Sequence, residues 1–188
     1  MSQYFSIHSA SISDRSDVTA LLRRSYPQLL PDDYDARLLR DALPLITTAQ
    51  PALLACGTYF VARCPESGVI VGAGGWTDLS PARGIYGPGQ GHVRHVATDP
   101  DWLRRGVAAA LIAHTLASAR AMGMTRMHCM STLTARPFYA AMGFRPVGEI
   151  ELTLAPGVYF PAVQMVRDLE DLQDVDECYG AVTPDAVE

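Results

Sequence analysis

The stretch HVATDPDWLRRGVAAALIAH, residues His95–His114, decides how the rest of the chain is read. It opens as a β-prone run, halts at Asp99-Pro100, and turns through Arg104, Arg105 and Gly106 into an apolar helix. Between Gly106 and Thr125 the only formally charged residue is Arg120, so the helix is expected to be buried on most sides. Its first backbone N–H groups still need partners. Arg104 and Arg105 are not the Ser, Thr, Asp or Asn that usually cap a helix. A bare positive helix end, two guanidinium groups and a glycine together suit an anion, read here as a pyrophosphate cradle built from backbone amides. Gly106 has no Cβ to keep a ligand away, and Ala108 and Ala109 keep the first turn small. The plainer alternative is a solvated helix start with surface arginines.

Working outward, the chain reads as a series of short elements. Tyr4–His8 is a first strand. Ser13 caps a helix whose apolar stripe is Val18, Leu21 and Leu22 and which Pro27 ends. Tyr34–Leu43 is a second helix, stopped by Pro44, and Leu45–Cys56 is ambiguous. TYFVARC and VIVGAGGW, joined by Pro65–Gly68, read as a hairpin. A Gly/Pro-rich loop follows; Asp78–Gly91 of it, with Trp76 and Tyr86, is a candidate lining for an acceptor. Then come the strand HVRHVAT, a helix from about Arg105 to Met122 with Gly123 as its stop, and the strand RMHCM. TARPFYAAMGF is a short helix, and a hairpin around Pro156-Gly157 closes the domain. The order β-α-α-β-β-β-α-β-α-β-β predicts an α+β fold, an α/β/α sandwich of helices around one mixed sheet. The domain is placed at 1–169, with an acidic tail at 170–188 that is peripheral or disordered.

Composition limits the function. The chain has 188 residues and a formal net charge of −5, but eight of its twenty acids follow Arg167 and no base does. Up to Arg167, 15 basic residues face 12 acids, too mild an excess for a nucleic-acid face. Every one of those bases is arginine, so no lysine can form a Schiff base. No run approaches the roughly 20 apolar residues of a membrane span, and the stretch MSQYFSIHSAS has no basic start and no apolar run of signal-peptide length. Cys56, Cys64, Cys129 and Cys178 have no CxxC spacing and read as reduced thiols of a cytoplasmic protein. There is no Walker motif, and the GAGG at Gly72–Gly75 leads into no helix, so it reads as a bulged or closely packed strand rather than a dinucleotide fingerprint.

VATDPDWLRRGVAAALI resembles motif A of the GNAT superfamily of N-acetyltransferases, and TARPFYAAMGF, with its Phe-Tyr and Gly-Phe, resembles motif B. The likeness covers Val93–Phe144; the N-terminal half matches in the order of elements only. Leu103 stands where the family pattern has Gln or Arg, and Thr132 where an Asn is frequent. The resemblance implies a mostly antiparallel sheet with a central β-α-β unit that binds an acyl-CoA. It implies acetyl-CoA as co-substrate, without a metal. It puts the pantetheine on the backbone of Val96, Ala97 and Thr98, and the pyrophosphate on Arg104, Arg105, Gly106, Val107, Ala108 and Ala109. The implied partner is a small-molecule or peptide amine; nucleic acid and membrane are not expected, and a homodimer stays open.

Acetyl transfer to an amine needs a neutral amine, a stabilised oxyanion and a proton for the leaving thiolate. Tyr139 suits the last role, because a phenol and an alkyl thiol both have pKa values of about 10 or a little less. Its neighbour Phe138 would then serve as the core residue. His92 is the candidate general base, with His95 or a water as alternatives. In a regular strand His92 and His95 lie on opposite faces and converge only if a bulge intervenes, which also argues against a metal pair. His114 is expected to be a core histidine, and Cys129 a buried thiol rather than a nucleophile. A non-catalytic domain that binds a CoA thioester as a sensor or interaction module is the competing reading; a plain interaction domain is a third.

Overall fold

The computed structural model describes residues 5–81 and 87–169. The acidic tail and Tyr86 lie outside them. Seven strands form one sheet in the order β1-β2-β3-β4-β5-β7-β6. They are β1 (Ser6–Ser9), β2 (Tyr59–Arg63), β3 (Ile70–Thr77), β4 (Gln90–Thr98), β5 (Arg126–Thr132), β6 (Arg145–Ala155) and β7 (Val158–Asp168). All neighbours are antiparallel except β4 and β5. Helices α1 (Arg15–Leu29), α2 (Ala36–Ile46) and the one-turn α3 (Pro51–Leu54) belong to one face. Helices α4 (Val107–Ala121) and α5 (Arg136–Ala141) belong to the other. This is the expected α+β sandwich of helices around a mixed, mostly antiparallel sheet.

Each face has its own core. Leu111, Ile112 and Leu116 of α4 pack with Trp76, Val93, Met127, Tyr139 and Met165 on one side. Val18, Leu21 and Leu22 of α1 pack with Tyr59, Val61 and Ala73 on the other. The glycines of β3 make room for this. A Cβ at Gly72 would stand 2.5 Å from a Val107 methyl and 2.9 Å from Leu111, and one at Gly75 would meet the Thr58 carbonyl at 2.3 Å. GAGG is thus a closely packed strand against which α4 rests.

Three local expectations change. Pro27 and Pro44 do not end their helices but sit inside the last turns of α1 and α2. Each deprives only the carbonyl four residues earlier, on Arg23 or Arg40, and both of those residues are exposed to water. The helical start near α1 is set by Ser11 and Asp14 rather than Ser13: the Asp14 carboxylate accepts the Ser11 N–H at 2.8 Å. His114 is exposed on α4, its ring meeting the edge of Phe60 at 4.5 Å, and is not a core residue. Helix α4 accordingly buries one face, leaving Ala113, His114 and Ala117 to solvent.

Candidate active site

The parallel pair at the centre of the sheet is a fork. β4 and β5 pair at Gln90↔Arg126, Gly91↔Met127 and His92↔His128. Past that point β4 continues with β3 alone and β5 with β7 alone. The inward edges of 93–98 and 129–132 therefore bound an opening. The cause lies in β4. The register against β3 slips between Ala73 and Gly75, and His95 has a left-handed φ of 43°. This bulge was the condition under which the two histidines could converge. It puts Val96 with Val93 in the α4-side core and Ala97 in the α1-side core. His95 then joins Leu22, Leu53 and Tyr59 around a small crevice on the α1 side, the side that also holds His92.

The loop from β4 to α4 is tied from outside. Asp99 caps a 3₁₀ turn at Pro100–Trp102 by accepting the Asp101 N–H at 3.1 Å. Its other oxygen accepts Arg24 Nε and Nη2 of α1, at 3.0 and 2.8 Å. No local signal marks Arg24 as a partner, because 75 residues separate the two. Beyond it, Arg104 and Gly106 both have left-handed backbones, φ 62° and 81°. Gly106 is the N-cap of α4, with no side-chain cap, and a Cβ there would meet nothing within 4 Å. The Arg105 guanidinium lies over the Trp102 ring at 5.1 Å, and Leu103, Arg104, Arg105 and Gly106 are exposed. The helix start thus faces solvent with its first amides uncapped by side chains, the geometry that suits an anion.

His92 and Tyr139 meet at the fork from opposite faces. His92 is buried and stacks on His128, ring centroids 5.1 Å apart; His128 Nε2 in turn lies 2.6 Å from Gln90 Oε1. Tyr139 is buried on α5 against Phe144, with its hydroxyl hydrogen-bonded to the Cys129 thiol. Cys129 is the first β5 residue past the last β4 pairing. Burial, and then the neighbouring Cys129, hold the Tyr139 phenol well above its ordinary value, so it stays neutral. Burial pushes the Cys129 thiol up to about 12, which fits an inert thiol. Phe138 is the more exposed of the Phe-Tyr pair and Tyr139 the core residue, the reverse of the expected division. Trp76 is likewise core, donating its indole N–H to Ser118 on α4 at 3.1 Å, and does not line the opposite face. Thr132 Oγ1 accepts the Ala135 N–H at 3.1 Å and so helps shape the entry to α5. Among the described residues no group of three or more His, Cys, Asp or Glu could hold a metal, and no helix is long and apolar enough to cross a membrane.

His95 gives the site an acid-sensitive element. Burial first, then the charge of Arg94, lowers its pKa to about 4. The unfolded chain, with a His pKa of about 6.5, binds more protons than the folded one between those values. The stability owed to the neutral ring is therefore complete above about pH 6.5 and is lost as pH falls towards 4, by at most about 1.4 kcal/mol per pH unit. His95→Asn, which tolerates the left-handed backbone and does not titrate, should flatten that acid limb of melting temperature against pH. His128, lowered mainly by burial, leaves a residual slope. Parallel curves for the two proteins would exclude His95 as the cause.

The profile of the acetyltransferase (GNAT) family matches residues 16–144, and the chain belongs to that family. Solved structures agree on the fold. A GCN5-related N-acetyltransferase from Rhodopseudomonas palustris superposes with a TM-score of 0.72 at 20% identity, over 89% of this chain and 97% of that one. The PaiA N-acetyltransferase of Thermoplasma acidophilum, solved with coenzyme A, gives 0.67 at 11% identity over 89% and 99%. The N-acetylglutamate synthase of Neisseria gonorrhoeae, solved with coenzyme A and N-acetyl-glutamate, gives 0.60 at 20% identity, over 90% of this chain but 36% of that one. No curated protein matches the chain.

Proposed function

We propose that this protein is an acetyl-CoA-dependent N-acetyltransferase that moves the acetyl group directly to a primary amine. The observation that carries the reading is the fork: an open β4 edge at Val96–Thr98 leads to an uncapped, glycine-started helix, with a buried phenol and a buried imidazole at its vertex. The residues fit the group. Val96, Ala97 and Thr98 offer backbone to the pantetheine amides, and the amides of Arg104, Arg105, Gly106, Val107, Ala108 and Ala109 offer a cradle to the pyrophosphate. PaiA and the synthase, solved with coenzyme A, support an acyl-CoA as the ligand.

The thioester supplies an acyl carbon that the amine attacks, forming a C–N bond as the C–S bond breaks. His92 takes the proton that the amine sheds, directly or through a water. Backbone N–H groups along the open β4 edge stabilise the oxyanion. Tyr139 donates its hydroxyl proton to the departing sulfur. His92 suits the base role better than His95, whose low pKa makes it a weak one.

The test is release of free CoA thiol across a panel of amino acids, polyamines and peptides. Amine-dependent release, saturable in both substrates, is the expected result. Saturable acetyl-CoA binding with no release for any amine would put a non-catalytic binding domain in its place.

A further inference from the structure

The α1 side of the fork carries a cation without an anion. Arg94 lies two residues beyond His92 on the same face of β4, about 7 Å along the strand. It is half-buried, and its Nη1 donates to the Thr77 hydroxyl at 3.0 Å. Two other guanidinium groups of this protein hold a carboxylate. Arg63, 29% exposed, holds Asp14, and Arg24 holds Asp99 at 2.8 Å. Among the described residues no carboxylate pairs with Arg94; the titratable groups it senses are Cys56 and Tyr59. A part-desolvated guanidinium held only by a hydroxyl is costly, and its remaining N–H donors match a carboxylate in two-point geometry.

We infer that Arg94 binds a carboxylate of the acceptor, so that the substrate is an amine that also bears a carboxylate. The inference deepens the transferase reading and rests on it for where the amine stands. A cation beside the fork repels a plain ammonium, whereas a carboxylate on the same molecule offsets that repulsion and anchors the amine beside His92. The same cation favours loss of the proton from the incoming ammonium, which direct attack requires.

The experiment has two arms, each with matched pairs: amino acids or peptides with a free carboxylate, and the same compounds as primary amides. In the first arm, calorimetry measures binding of the N-acetylated pairs to the CoA-loaded protein. In the second, thiol release measures kcat/KM for the free amines. The wild type should favour the carboxylate by about ten- to a hundred-fold, the scale of a charge-assisted hydrogen-bond pair. Arg94→Gln, which keeps a polar side chain but no charge, should bring the ratio near one, and Arg94→Lys should restore part of it. A wild-type ratio near one, a ratio unchanged in Arg94→Gln, or no binding by either partner of any pair overturns the inference. Carboxylate-selective binding without turnover instead overturns the transferase reading and leaves the Arg94 site standing.

Discussion

Gly106→Glu should abolish the rise in melting temperature that acetyl-CoA gives the wild-type protein. A ligand that binds only the folded state stabilises it by about 2.7 kcal/mol at a hundred times its dissociation constant, several degrees for a domain of this size. The substitution attacks that gain twice. It sets a carboxylate where the pyrophosphate is proposed to lie, and it forces a side chain onto a backbone at φ 81°. The backbone strain alone costs about 1–2 kcal/mol and lowers stability without ligand. Gly106→Ala carries the same strain without the charge, so the two variants should melt together in the absence of ligand and separate in its presence. The fold should tolerate both, because a Cβ at Gly106 would meet nothing within 4 Å. A normal acetyl-CoA shift in Gly106→Glu would put the cradle elsewhere.

What the sequence made legible is what local chemistry writes. The hairpin of β2 and β3 is announced by its β-rich runs and by the turn at Pro65–Gly68. Helix α4 is announced by its composition and by Gly123, whose φ of 81° is the left-handed stop a helix end favours. The bare start of α4 was legible because a helix start without a capping residue is conspicuous. What stayed hidden depends on distance or on backbone events without a residue signature. The slip at His95 places a histidine, not a glycine, in the left-handed region, and nothing nearby marks it. The stack of His92 on His128 and the clasp of Arg24 on Asp99 join segments 36 and 75 residues apart, and only the assembled sheet sets them together. Pro27 and Pro44 misled for the opposite reason. A strong local signal was overridden where the deprived carbonyl could turn to water. The order of burial in Phe138-Tyr139 follows from the core that Tyr139 enters beside Phe144, which the pair of letters does not encode.

That inverted order sharpens the test of Tyr139. Tyr139→Phe removes one oxygen from a packed ring that touches Phe138 and Phe144, so the core should hold, at a cost of about 1 kcal/mol for the lost bond to Cys129. Acetyl-CoA affinity should stay within a few-fold. If the hydroxyl protonates the departing thiolate, the chemical step should slow by about 10²–10⁴, the usual scale of a general acid. The loss should shrink with an acyl donor whose thiol is more acidic, since that leaving group needs less help. A merely structural tyrosine would lower both donors equally, so the ratio between donors separates the two roles. Burial keeps the phenol protonated throughout the working range, so it can donate a proton and not take one, while a phenol held above its ordinary value is also a weaker acid than a free one. The rate must be read in a single turnover, because slow product release would conceal a slower chemical step. An unchanged single-turnover rate would leave Tyr139 as a core residue, with the thiolate departing unprotonated or taking its proton from water in the opening between β4 and β5.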